Sequence, residues 1–333
     1  MTTARKDASD AVRGGPPQMP PSGTVSPLRI ADLVAPRKIP PGGGWRRLCY
    51  TASAHRINPG ESRRERHYRE LRNRIRRHIR KQFVIGVVSG KGGVGKTTLT
   101  ACLAGVFRQC RPENVVALDA APGFGTLAAR IDENPPGDYA AVLADTEVYG
   151  YADIREHLGQ NALGLDVLAG DQASDRSRPL DSAMYRGVLT RLRRTHTILV
   201  VDTADDLEHP VMAAVLGSLD TLVLVSGLTV DTSLPVTRTV ELLRAHGYHE
   251  LVAGSTVVLN DSRGHVDSDA RRYLTERFSQ WGATVEFVPY DPHLATGGII
   301  DIEHQLRPAT RLRLVEIAAG IADKYIPEAD RQP

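Results

Sequence analysis

Nine consecutive residues, Gly90-Lys91-Gly92-Gly93-Val94-Gly95-Lys96-Thr97-Thr98, combine four glycines, two lysines and two threonines in an order that suits one chemistry. Glycines let backbone N–H groups curl around a phosphate with no Cβ in the way. Lys96 is placed to reach the β- and γ-phosphates of a nucleotide, and the Thr97 hydroxyl to ligate Mg²⁺. The stretch satisfies the spacing Gly, four residues, Gly-Lys-Thr of a phosphate-binding P-loop. Lys91 is surplus to that task, because an ordinary phosphate cradle has no need of a second lysine.

Further polar residues stand at the ends of apolar runs. Ile198-Leu199-Val200-Val201-Asp202 ends in a carboxylate, the arrangement that holds Mg²⁺ through water in P-loop proteins. Val257-Val258-Leu259-Asn260 ends in an amide, and Val288 is followed by Pro289-Tyr290-Asp291-Pro292. Asn-Asp and Pro-x-Asp-Pro also form turns, so either a ligand contact or a simple turn fits those two sites. The eleven histidines form no catalytic or metal-ligating constellation. In His265-Val266-Asp267-Ser268-Asp269, Asp267 or Ser268 is better placed to cap the next helix than to bind a metal.

These residues need a scaffold that brings strand ends together. Phe83 to Ser89, an apolar β-branched run, precedes the glycine loop, and helical sequence follows it. Strands are expected at 83–89, 114–119, 165–168, 197–202, 221–225, 255–259 and 284–288. Helices are expected near 97–109, 124–131, 151–158, 180–194, 209–217, 233–246, 267–280 and 308–325. The alternation predicts an α/β fold with a doubly wound, mostly parallel sheet, whose ligands bind at the carboxyl ends of its strands. A composition 41% hydrophobic but only 5% aromatic fits an aliphatic sheet core covered by helices.

The chain divides by composition. Residues 1–44 are rich in Pro and Gly and poor in apolar side chains, and read as a disordered arm. Residues 45–81 read as a basic helical segment, 82–326 as the nucleotide-binding domain and 327–333 as a tail. Between Arg63 and Lys81 ten basic residues face two glutamates, net +8, so the remainder of a chain of net +3 carries about −5. Tyr68, Leu71, Ile75 and Ile79 form one narrow apolar stripe there. Such a helix suits an anionic membrane surface, nucleic acid, or packing on the domain with its arginines in solvent. Cys49, Cys102 and Cys110 form no paired motif, and no stretch has a membrane span's length, so a cytoplasmic location is expected.

The Lys-Gly-Gly-x-Gly-Lys-Thr-Thr loop resembles the deviant P-loop of the MinD/ParA family. Gly44-Trp45-Arg46-Arg47-Leu48, Ile57-Asn58-Pro59-Gly60-Glu61-Ser62, the arginine-rich helix, and Pro289 to Leu294 with Leu306 to Thr310 look like the EspI-type ATPases of type VII secretion loci. That resemblance implies ATP and Mg²⁺ as ligands and an ATP-dependent homodimer in which Lys91 crosses to the partner's phosphates. It implies phosphate contacts from the whole loop, Gly90 to Thr98, catalytic roles for Lys91, Lys96, Asp119 and Asp202, and Mg²⁺ on Thr97 and Asp202. Asn260, Pro289 and Asp291 fall where the family holds adenine. It also implies an accessory or regulatory role in type VII secretion, at or near the inner face of the membrane. The family's first switch begins Asp-x-Asp, whose second carboxylate positions the attacking water. Here Asp119 matches the first position and Ala121 replaces the second. The glycine of the second switch is also missing from Thr203-Ala204-Asp205-Asp206. Slow hydrolysis is therefore expected. A non-hydrolysing ATP-dependent scaffold and a DNA-positioning ATPase are the two alternatives.

Overall fold

The computed structural model describes residues 38–122, 125–170 and 179–325. Most of the Pro/Gly-rich arm and all of the tail lie outside the described residues. The described residues form two compact units that divide between Ser62 and Arg63. In the first unit helix α1 (Gly44–Ala52) is followed by a loop held by side chains. Asn58 Nδ2 donates to the Lys38 carbonyl at 2.6 Å, and Arg46 Nη1 to that of Glu61 at 3.2 Å.

The second unit opens with α2 (Arg63–Ile75) and continues β1 (Phe83–Ser89), α3 (Lys96–Cys110), β2 (Val115–Asp119), α4 (Tyr139–Ala144), α5 (Tyr151–Arg155), β3 (Gly159–Gln160) and β4 (Asp166–Leu168). Then come α6 (Ser182–Leu192), β5 (Ile198–Asp202), α7 (Pro210–Leu216), β6 (Thr221–Ser226), α8 (Val230–Ala245), α9 (His249–Ala253), β7 (Thr256–Asn260), α10 (Ser268–Ser279), β8 (Thr284–Val288), α11 (Pro292–Thr296) and α12 (Pro308–Ala322). Among the described residues the sheet has eight strands in the order β3-β4-β2-β5-β1-β6-β7-β8. Every pairing is parallel except β3 with β4.

The seven expected strands all form, and β1 lies between β5 and β6. All seven of its residues are buried, because helices cover both faces and the sequence is apolar without alternation. One core cluster joins Ile85 and Val87 to α3 and α12; the other joins Val84 and Val88 to α6, α7 and α8. From β1 the chain goes to β2 on one side and later reaches β6 on the other. The crevice at that switch point is where an open α/β sheet binds its ligand.

The arginine-rich helix is part of this unit. Leu71, Ile75 and Ile79 are buried in the core, with Tyr68 packed against it. Arg74 and Arg77 pair with Asp323 just after α12. The compact unit thus begins at Arg63, where composition alone placed its edge at 82. The helix itself ends at Ile75 rather than running to 81. Because Ile75 is fully buried, Ile75→Ala is expected to lower unfolding free energy by about 2–5 kcal/mol in chemical denaturation. A loss under about 0.5 kcal/mol, typical of surface substitutions, would mean that the helix is not docked.

Two expected helices differ. The one near 124–131 shrinks to a single 3₁₀ turn, Ala128–Arg130, with residues 123 and 124 outside the described set. The Asp119 carboxylate takes the Leu127 N–H at 3.1 Å, so that donor is not used in an intrahelical bond. The helix near 151–158 stops at Arg155, and Gly159–Gln160 instead pairs antiparallel on the sheet edge.

Candidate functional site

The glycine loop links β1 to the first turn of α3, with its helix N-terminus facing the crevice. Gly95 caps α3 at φ +94°, a left-handed conformation that side chains rarely adopt. A Cβ at Gly90 would lie 2.3 Å from the Pro235 backbone of α8, so that position is closed to any other residue.

Lys96, the first residue of α3, sends Nζ to Asp202 Oδ1 at 3.1 Å and to the Thr203 carbonyl. Thr97 donates its hydroxyl to Asp202 Oδ2 at 2.6 Å, and Thr100 reaches Oδ1 at 3.3 Å. Asp202 sits on the last residue of β5, adjacent to β1. Burial raises its pKa, opposed by Lys96, Thr97 and Thr100. The pair Thr97 and Asp202 fits Mg²⁺: both are hard oxygen donors, already within 2.6 Å of each other, and this ion keeps most of its shell for phosphate and water. No group of three or more His, Cys, Asp or Glu among the described residues suits a metal held by protein alone.

Asp119 ends β2 directly across from Asp202 in the sheet register. It is fully buried and accepts the N–H groups of Ala121 at 3.2 Å and Leu127 at 3.1 Å. Its carboxylate therefore holds both ends of the segment after β2. Burial, then the facing Asp202, push its pKa up to about 6, against the two amides and Lys96. A carboxyl group whose folded pKa is raised stabilises the fold most below its unfolded pKa, and that contribution is lost as pH rises through the folded value. Thermal melts of the wild type from pH 4 to 7 are expected to contain such a downward component, and Asp119→Asn to lack it. Parallel curves for the two proteins would remove Asp119 as its source.

The loop and the strand ends enclose a cavity of about 460 Å³, within the range of small-ligand sites. Gly92, Gly93, Gly95, Lys96, Thr97 and Thr98 line one part of it, and Asn260, Pro289 and Asp291 another. Asn260 Nδ2 donates to the Val94 carbonyl at 2.8 Å, which leaves its side-chain oxygen as the acceptor it can offer a ligand. Asp291 is buried, with one oxygen on the His293 N–H and the other on the Arg307 N–H. It thus shapes the loop over the cavity through backbone contacts. Lys91 is exposed and is not in the cavity wall. Asp205 reaches over the loop, accepting from Ser89 Oγ at 3.3 Å with Lys96 Nζ at 3.7 Å, whereas Asp206 caps its own turn at Glu208 N. Asp267 caps α10, as its position suggested.

Two lining residues, Cys102 and Arg130, are not among those singled out from the sequence. Cys102 and Arg130 lack any motif, and the turn carrying Arg130 was expected to be a longer helix. A periodicity argument places Cys102 on α3 one turn beyond Thr98, on the same face, and that is the signal that was available.

A strand, a glycine loop and a helix, with a strand-end aspartate on the loop threonine, define a P-loop nucleotide-binding fold. Residues 85–324 match the CobQ/CobB/MinD/ParA nucleotide binding domain, and the chain belongs to that family. It is 32% identical over 284 residues to the ESX-1 secretion-associated protein EspI of two Mycobacterium tuberculosis strains, covering 85% of this chain and 42% of the relative. The chain thus spans less than half the length of those relatives. The fold is also that of a ParA family ATPase from Chlorobium tepidum TLS (TM-score 0.58, 18% identity, 72% of this chain and 98% of that one). The septum site-determining protein MinD of Pyrococcus horikoshii OT3, complexed with Mg-ADP, is similar too (TM-score 0.56, 18% identity, 75% and 98%).

Proposed function

We propose that this protein is an ATP-binding, slowly hydrolysing switch of the MinD type that serves type VII secretion. The observation that carries the reading is the convergence of Lys96, Thr97 and Asp202 at the mouth of a nucleotide-sized cavity. Lys96 and the loop amides hold the phosphates. Thr97 and Asp202 hold Mg²⁺, which neutralises phosphate charge when bound. The Asn260 oxygen accepts from the adenine amine. Asp119 keeps the segment after β2 in place, so that phosphate occupancy and that segment's position are coupled. Lys91, exposed beside the loop, reaches the phosphates of a second copy, which makes dimerisation depend on ATP. The secretion role is supported by the likeness to EspI, whose name records ESX-1 association.

The test is static light scattering with and without ATP-Mg²⁺, on wild type and Lys91→Ala. ATP is expected to double the mass of the wild type only. A wild type that stays monomeric with ATP bound would sink the dimer reading.

A cytoplasmic place at the inner face of the membrane is part of this proposal. No helix among the described residues is long and apolar enough to cross a membrane. Since Leu71 and Ile75 are spent on the core, α2 would meet a membrane or nucleic acid through arginines alone, and such binding would fall steeply with salt. A non-hydrolysing scaffold is the second reading, favoured by Ala121 at the place of the water-positioning carboxylate.

A further inference from the structure

Besides the glycine loop, the cavity is lined by Cys102, Leu294, Ala295 and Leu314, together with Arg130. The first four are apolar, and Arg130 and Asp291, whose oxygens are taken by backbone N–H groups, are the charged side chains near Cys102. The Arg130 Nη1 atom is buried and has no hydrogen-bond partner. Buried polar groups are nearly always satisfied, so such an N–H marks a place where something supplies an acceptor. Guanidinium nitrogens only donate, which restricts the missing partner to an acceptor atom.

The residue is held in place by its backbone. Its carbonyl accepts the Ile300 N–H at 2.9 Å, and its turn begins at Leu127, whose N–H is fixed by Asp119. Charge is felt locally as well: Arg130 and Asp291 both act on the Cys102 thiol, whose pKa burial has pushed up to about 12. That thiol is therefore neutral and contributes only apolar surface.

We propose that Arg130 recognises the nucleoside end of the bound nucleotide, by donating Nη1–H to an acceptor on the purine or the ribose. The inference rests on the nucleotide reading above. With the triphosphate fixed at Lys96 and Thr97, the nucleoside must extend along the cavity past Thr98. There the apolar wall covers a ring face and Arg130 supplies the donor. Asn260, an acceptor, and Arg130, a donor, then read opposite kinds of atom on one ligand. A contact of Arg130 with the nucleoside would also report its presence to the segment that Asp119 holds.

The experiment is calorimetric titration of wild type, Arg130→Met and Lys96→Ala with ATP-Mg²⁺ and with tripolyphosphate-Mg²⁺, which has no nucleoside. Arg130→Met is expected to weaken ATP by about tenfold or more, as for a hydrogen bond to a charged donor, and to leave tripolyphosphate unchanged. Wild type with 7-deaza-ATP or 2′-deoxy-ATP is expected to show the same loss for whichever analogue lacks the acceptor. That analogue should bind Arg130→Met no worse than ATP does. Equal ATP affinity in wild type and Arg130→Met would overturn the proposal, as would an equal loss for both ligands. A wild type that binds neither ligand would instead overturn the nucleotide reading itself. If Arg130→Met does not fold, Arg130→Lys, which keeps the charge and loses the planar fork, takes its place with the same expected outcomes.

Discussion

Lys96→Ala is expected to abolish ATP binding, with affinity lower by at least about a hundredfold, since two charge-assisted phosphate contacts are lost together. The same change should alter the protein without nucleotide. Lys96 Nζ lies 3.1 Å from Asp202 and is the largest influence holding that carboxylate's pKa down against burial. Without the lysine, Asp202 is a buried carboxylate facing Asp119 with only hydroxyl partners. Its pKa should rise further, and a raised carboxyl pKa takes stability away as pH increases through it. Lys96→Ala should therefore melt below wild type at pH 8, and the gap should narrow toward pH 5. Calorimetric titration and melts at the two pH values test both halves. Retained ATP affinity would end the reading of this loop as the phosphate site. A gap that does not change with pH would show that Lys96 supports the fold by packing rather than by charge.

Ala121→Asp is expected to raise ATP turnover by about a hundredfold or more, the lower range of what a positioned proton-transfer group contributes. The position is two residues past Asp119, and its backbone N–H is already fixed by the Asp119 carboxylate at 3.2 Å. A carboxylate there would start from an ordered backbone, one residue past Ala120, whose N–H donates to the Asp202 carbonyl at 2.9 Å. The methyl group present in this chain can neither orient nor deprotonate water. Whatever slow turnover the wild type has should then depend on Asp205, the carboxylate over the loop, and Asp205→Asn should remove it. Phosphate release measured on the wild type and both variants, with Lys96→Ala as the blank, separates the cases. No gain in Ala121→Asp would move the weight to the scaffold reading. Unchanged turnover in Asp205→Asn would exclude that carboxylate as the substitute.

The proposed phosphate site was legible because its chemistry is local. Gly90 to Thr98 must be contiguous for loop amides to wrap one anion, and the apolar runs on either side are each long enough to declare a strand or a helix. Asp202 was legible for a related reason: a strand end in a parallel sheet is fixed by the apolar run before it. The family resemblance suggested roles for these residues, proposed above, that spacing alone could not.

Other features needed the folded chain. The sequence shows Tyr68, Leu71, Ile75 and Ile79 as a stripe, but a stripe suits a membrane, a partner or the chain's own core. Only the packing of α2 in the core with α12 decides for the last. Asp119 and Asp202 lie about eighty residues apart along the chain and become neighbours because β2 pairs with β5; burial in the sheet, and then this neighbour, raise the pKa of the first. Asp291 was legible as a loop residue, and the structure assigns both its oxygens to backbone N–H groups. Arg130 carried no signal, since its importance comes from a buried N–H without a partner. By itself, the sequence determined the loop, the strands and the order in which they occur, because backbone conformation and apolar periodicity are set by near neighbours. Tertiary structure decided which distant charges meet and which polar atoms are left unsatisfied, because electrostatics and burial act through space rather than along the chain.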